Sequence, residues 1–96
     1  MSATRAIRRS GDVAVVDSGD RLVLLDLAQL AKPEPIALEG TAREIWLEIP
    51  DAGIPVDAVV ASLAARFEAP VRELRSDVEA FVNALVERGL LIARDA

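Results

Sequence analysis

The stretch PVRELRSDVEAFVNALVER, from Pro70 to Arg88, decides the fold because it contains both ends of a helix and a wide apolar face. Pro70 has the fixed φ of a first helical turn, and Gly89 provides the left-handed residue at which helices commonly end. The apolar residues cover an arc of about 140° on the helical wheel; they are Val71, Leu74, Val78, Phe81, Val82, Leu85 and Val86. Such an arc fits a fully buried face, or a buried face with a flank that receives a ligand.

Two shorter helices are predicted before it. Thr41 to Ile49 carries apolar residues on one face, among them Trp46, which we expect to anchor the core. Thr41 and Glu44 have the spacing of a capping box, although Gly40 could equally be the cap. Val56 to Phe67 places Val59, Val60, Leu63 and Phe67 on one face.

The first half of the chain predicts strands. Val13 to Asp17 and Arg21 to Leu27 are rich in β-branched and aliphatic residues around a Ser-Gly-Asp turn, which indicates a hairpin. A third strand, Pro35 to Leu38, begins at a proline, and because proline cannot donate to a sheet ladder this strand is expected at an edge. Its backbone groups from Ile36 to Leu38 would then be free to pair.

The order of these elements predicts an α+β fold, a winged helix-turn-helix in which a three-stranded antiparallel sheet is followed by three helices. Residues 13–92 would form the domain, and residues 1–12 a flexible N-terminal tail. Leu90 to Ile92 is either a capping contact of the last helix or a short strand.

The composition excludes several classes of function. The 96 residues include no cysteine and no histidine, so disulfides, thiolate nucleophiles and the usual zinc or haem ligands are excluded. No catalytic residue, metal or cofactor is predicted. The net charge of −5 disfavours nucleic acid and anionic membranes as partners. With no apolar run long enough to span a bilayer, we expect a cytoplasmic protein.

An ordered set of residues resembles the PqqD-like family. The set runs from Leu24-Leu25-Asp26 through Gly40-Thr41-Ala42 and Ile45-Trp46 to Asp77-Val78, and ends with Phe81, Leu85 and Gly89-Leu90-Leu91. Members of this family are RiPP recognition elements, which bind peptides in ribosomal peptide natural-product pathways. The resemblance covers Val13 to Ile92, nearly the whole chain.

The resemblance implies a non-catalytic peptide chaperone. It would bind the leader segment of a precursor peptide by β-strand addition and deliver it to a modifying enzyme: a leader peptidase, a cyclase or a radical enzyme, with a lasso-type pathway preferred. The leader would pair with the third strand and fill a groove beside the last helix. The implied peptide-binding residues are Pro35, Ile36, Ala37, Leu38, Leu74, Arg75, Asp77, Val78, Phe81 and Val82.

Several alternatives stay open from the sequence. Asp77 could accept a hydrogen bond from the leader or pair locally with Arg72 or Arg75, and Arg75 could instead pair with an acidic leader from the other flank of the helix. Glu39 stands where the family commonly has a small polar cap. Pro33-Glu34-Pro35 replaces an aromatic-containing strand, which leaves the pairing register open.

Two other classes of function compete with peptide binding. A DNA-binding winged helix would place its recognition helix, here the net negative helix from Val71 to Arg88, in a groove of the DNA. An adaptor or dimerisation module would not bind a leader, and a dimer could bury the free strand edge from Ile36 to Leu38. We expect a monomer or a weak dimer.

Overall fold

A computed structural model describes residues 5–27 and 35–95 of the chain. The described elements are β1 (Arg5–Arg9), β2 (Val13–Asp17), β3 (Arg21–Asp26), β4 (Ile36–Glu39), α1 (Thr41–Glu48), β5 (Ile54–Pro55), α2 (Val56–Phe67), α3 (Val71–Glu87) and β6 (Leu91–Asp95). The fold is therefore α+β, as predicted, and it is consistent with a winged helix. Pro33 and Glu34, which precede the predicted third strand, lie outside the described residues.

The predicted hairpin and the predicted third strand form one antiparallel sheet in the order β2-β3-β4, which we call the hairpin sheet. Leu22 of β3 lies opposite Leu38 of β4, and both side chains are buried. Leu24 lies opposite Ile36 in the same register. Strand β4 has no neighbour on its other side among the described residues, so its predicted position at an edge is confirmed.

A second sheet, in the order β5-β1-β6, contains a strand that the sequence does not predict. We call it the terminal sheet. Arg5–Arg9 pairs along its whole length with Leu91–Asp95 and at Ala6 and Ile7 with β5. The prediction of a flexible tail over residues 1–12 is therefore wrong from residue 5 onward. Buried Ile7 provides the physical reason, since it joins the core with 1% of its surface exposed.

The last helix ends as its sequence predicts. Gly89 has a φ of 76°. The Leu90 N–H donates to the Leu85 carbonyl at 2.9 Å, and the Gly89 N–H donates to the Val86 carbonyl at 3.1 Å. These two bonds are a Schellman motif. Beyond it the chain continues into β6, which resolves the choice between a capping contact and a terminal strand in favour of a strand.

The core lies between the two sheets and the three described helices. Trp46, Val59, Val60 and Leu63 are buried in it, as predicted. Phe67, predicted on the same face as these α2 residues, is instead 48% exposed at the end of the helix. Phe67 is the last residue of the helix and is followed by Glu68 in a left-handed conformation, and among the described residues it does not belong to the set packed against the core.

Candidate functional site

The free edge of β4 exposes backbone groups at alternate residues. In the hairpin, the Ser18 N–H donates to the Arg21 carbonyl at 2.9 Å and the Leu27 N–H donates to the Asp12 carbonyl at 2.7 Å. In an antiparallel ladder only every second residue of a strand bonds to a given neighbour. Arg21 and Leu27 bond to the β2 side, so the backbone groups of the odd-numbered residues of β3 point toward β2 and those of the even-numbered residues point toward β4. Leu38 and Ile36, which lie opposite even-numbered residues, therefore bond to β3.

The same alternation directs the backbone N–H and C=O groups of Ala37 and Glu39 away from β3, toward the free edge. Each presents one N–H and one C=O at the edge, while the exposed Pro35 has no N–H to offer. An incoming strand could thus form hydrogen bonds with Ala37 and Glu39 at the standard spacing of about 4.8 Å between strands. The edge is short, and its donors are two residues apart.

A cleft lies where β4 ends. It has a volume of about 470 Å³ and contains residues from α1, from the α2–α3 turn and from α3. We call it the α1–α3 cleft; it is lined by Gly40, Thr41, Glu44, Phe67, Ala69, Glu73, Leu74 and Asp77. Strand β4 packs on β3 and α1, and α3 packs on α2 and β6. Gly40, which directly follows β4, is the residue through which the strand end meets the cleft.

The walls of the cleft are partly apolar and partly acidic. Leu74 is almost fully buried at its base, and the half-exposed ring of Phe67 lies at its rim. The Arg66 guanidinium lies over that ring, 5.1 Å from its centroid. Three carboxylates line the same space, those of Glu44, Glu73 and Asp77.

Glu44 belongs to an ion-pair network that joins α1 to α2. Its carboxylate accepts hydrogen bonds from Arg66 at 2.7 Å and from Arg43 at 2.9 Å, and Arg66 also binds Glu48 at 2.6 Å. The bond from Arg66 lowers the pKa of Glu44, partial burial opposes this, and the bond from Arg43 lowers the pKa further. The same contacts with Glu44 and Glu48 raise the pKa of Arg66.

We expect the Glu44 network to make stability depend on acid pH. Because the folded state lowers this pKa from its ordinary 4.5, ionised Glu44 stabilises the fold above pH 4.5, and the contribution is lost as the pH falls through the lowered pKa. Glu44→Gln should be less stable than the parent at neutral pH, and its stability should fall less steeply below pH 4.5. Urea unfolding at several pH values measures both. Glu73→Gln, which removes a carboxylate from the same cleft without breaking a described ion pair, is the control, and identical slopes for Glu44→Gln and the parent would contradict the expectation.

The residues predicted to bind peptide divide into three groups. Leu74 and Asp77 line the cleft. Ile36, Ala37 and Leu38 belong to β4, which ends beside the cleft, and Pro35 immediately precedes that strand. Val78 and Val82 are fully buried core residues, and Phe81 packs half-buried against them. Arg75 lies on the opposite flank of α3, where it binds Asp57 of α2 at 2.6 Å, and it does not join the cleft.

Asp77 differs from Arg75 in its surroundings. It is exposed, and in the part of the chain that the structure describes it has no hydrogen bond or ion pair, so the alternative local pair with Arg72 or Arg75 is not observed.

The sequence did not indicate Glu73, Phe67 and Ala69 as cleft residues, because the cleft forms only when the three helices pack together. Glu44 was noted as a capping residue, but Gly40 is the cap and no side chain bonds the helix start.

The described residues contain no group of three or more acidic side chains placed to hold a metal ion. None of the described helices is both long and apolar enough to cross a bilayer.

Comparison with known proteins gives two matches. The family model described as "Coenzyme PQQ synthesis protein D (PqqD)" matches residues 21–91. Among solved structures, "TbiB1 in Complex with the TbiA(beta) Leader Peptide" matches with a TM-score of 0.75 at 23% sequence identity, covering 88% of this chain and 93% of that one. No curated protein matches. The structural match shows a shared fold, and the family match spans β3 to the start of β6.

Proposed function

Because the chain belongs to the PqqD family, we propose that it is a non-catalytic RiPP recognition element that binds the leader segment of a ribosomally made precursor peptide. The observation that carries the proposal is the free edge of β4, which ends at the α1–α3 cleft. TbiB1, which has the same fold, has been solved in complex with a leader peptide, and this supports the proposal. We further propose that the bound peptide is delivered to a modifying enzyme in the cytoplasm, with a lasso-type pathway preferred.

The leader adds to the hairpin sheet as a fourth strand. Its backbone pairs with the outward groups of Ala37 and Glu39, which gives affinity that depends little on sequence. Because side chains of a strand alternate between faces, every second leader residue faces α3. One or two of these enter the α1–α3 cleft against Leu74 and Phe67 and provide discrimination.

The expected affinity follows from these contacts. Strand hydrogen bonds contribute about 1 kcal/mol each, and each buried leader side chain contributes about 1.5–3 kcal/mol. Ordering a flexible peptide costs about 2–5 kcal/mol. With all four outward groups of Ala37 and Glu39 paired and two leader side chains buried, the balance reaches about 8 kcal/mol, which corresponds to a Kd of micromolar order.

Direct binding tests the proposal. The leader half of the precursor peptide encoded beside the gene is labelled with a fluorophore and titrated with the protein, with anisotropy as the readout. We expect saturable binding at micromolar protein, and a scrambled leader of the same composition should bind at least tenfold more weakly. Equal binding of the native and scrambled peptides, or no binding of either, would contradict the proposal and favour an adaptor function.

Asp77 is proposed to accept a hydrogen bond from the leader within the cleft. Asp77→Ala should weaken leader binding about threefold to tenfold, as expected for the loss of one hydrogen bond worth about 0.5–1.5 kcal/mol. The unfolding free energy should change little, because the side chain is exposed and bonds to no described residue. Arg72→Ala, an exposed change outside the cleft on the same helix, is the control. If both variants bind like the parent, Asp77 has no part in the site.

A further inference from the structure

The outer face of the terminal sheet carries two arginines around an apolar centre. Strand alternation buries Ile7 and Leu91 and turns their neighbours to the other side. We call this outer side the arginine face; it consists of Ala6, Arg8, Pro55, Ile92 and Arg94. These five residues line a shallow cavity of about 270 Å³ together with backbone from neighbouring residues.

The strand register fixes how the arginines are spaced. Arg8 lies opposite Ile92, and Arg94 lies opposite Ala6. The two arginines are therefore diagonal neighbours, roughly 7–8 Å apart, with their Cβ atoms somewhat closer. Ile92, whose surface is 37% exposed, is the cross-strand neighbour of Arg8 and lies two residues from Arg94 on the same face. A single protruding group of a partner could contact both guanidinium groups and Ile92 together.

Both arginines lack a partner within the described residues. Six other arginines bind carboxylates or carbonyl groups of the chain: Arg5, Arg9, Arg21, Arg43, Arg66 and Arg75. Arg8 and Arg94 form no such bond there and are exposed. Guanidinium groups form paired, charge-assisted hydrogen bonds with carboxylates, so the ligand chemistry that fits this face is acidic.

We propose that the arginine face docks an acidic patch on a partner protein, and, resting on the function proposed above, that this partner is the modifying enzyme. A protein is favoured over a nucleic acid because the chain as a whole carries a net charge of −5. A long polyanion would be repelled by the rest of the surface, whereas a local acidic patch meets only the two arginines. The exposed Ile92 and Pro55 give such a contact an apolar centre with charges at its rim.

The arginine face is separate from the proposed peptide site. The two cavities share no lining residue. The terminal sheet packs on the helix layer through β1 on α2 and β6 on α3, whereas the peptide site opens between α1, α3 and the end of β4. The protein can therefore hold a leader and an enzyme at the same time, which delivery requires.

Charge reversal tests the arginine face. The probe is the purified modifying enzyme encoded beside the gene, immobilised and titrated with the full-length protein at two salt concentrations. The double variant Arg8→Glu/Arg94→Glu should bind the enzyme at least tenfold more weakly, with a smaller salt dependence than the parent. A double variant that reverses exposed arginines on the far flank of α3, Arg72→Glu/Arg75→Glu, changes the net charge equally, gives up only the exposed ion pair of Arg75 with Asp57, and should bind within threefold of the parent.

The leader titration is repeated on every variant to separate the two proposals. Unchanged leader affinity together with lost enzyme binding in the first double variant supports the arginine face. Three results would overturn it: the parent and both double variants bind the enzyme equally, both double variants lose binding equally, or the parent does not bind the enzyme. Failure of the parent to bind the leader would overturn the proposed peptide function instead, and the comparison of enzyme binding would still decide the docking face.

Discussion

Replacing Ala37 with proline is expected to weaken leader binding at least tenfold, or by about 1.4 kcal/mol. The Ala37 N–H points away from β3, so proline removes a donor that the fold does not use. The ring also occupies the space into which a neighbouring strand must come to pair. Anisotropy titration with the labelled leader measures the effect, and circular dichroism checks that the fold is kept.

The opposite edge of the same sheet provides the matched control. Along β2 the backbone groups of Ala14 and Val16 point toward β3. The N–H of Val15, which lies between them, therefore points outward. Val15→Pro therefore makes the same backbone change on the other edge strand and should leave leader affinity within about threefold. If Val15→Pro weakened binding and Ala37→Pro did not, the leader would add to β2 and the proposed site would be wrong.

The second large effect is expected at Gly40, where β4 turns into α1. Its φ of 58° and ψ of −131° lie in a region that is essentially restricted to glycine. A Cβ there would meet no atom within 4 Å, so the cost of Gly40→Ala is backbone strain rather than a clash. We expect the unfolding free energy to fall by about 1–3 kcal/mol. Because Gly40 also lines the cleft, relaxation of this strain should weaken leader binding as well.

Gly11→Ala is the control for Gly40→Ala. A Cβ at Gly11 also meets nothing within 4 Å, and its φ is not positive. Its unfolding free energy should stay within about 0.5 kcal/mol of the parent. Urea denaturation followed by the fluorescence of the buried Trp46 compares the two. Equal midpoints for both variants would show that the conformation of Gly40 carries no strain for alanine.

The local patterns of the chain predict most of its elements. The helix from Val71 to Glu87, its glycine stop and the hairpin around Gly19 were recognisable because each depends on residues close in sequence. β1 was not recognisable. Its sequence, RAIRR, has a single large apolar residue, and its conformation depends on pairing with a strand more than 80 residues later in the chain.

The candidate site was predictable to a similar degree. Pro35 indicated an edge, because proline limits where a strand can lie. The cleft was not predictable, since Glu44, Phe67 and Glu73 come from three helices and meet only through tertiary packing. The wide apolar arc of α3 left open whether the whole face is buried or one flank lines a groove, and the structure places Val78 and Val82 in the core.

Hydrogen exchange at the β4 edge tests the central claim most directly. Amide exchange of the isotopically labelled protein is measured by NMR with and without a saturating amount of the leader peptide. Strand addition predicts that the outward amides of Ala37 and Glu39 exchange fast in the free protein and are protected in the complex, while the amide of Val15 on the other edge is unchanged. Binding without protection at Ala37 and Glu39 would contradict leader addition to β4.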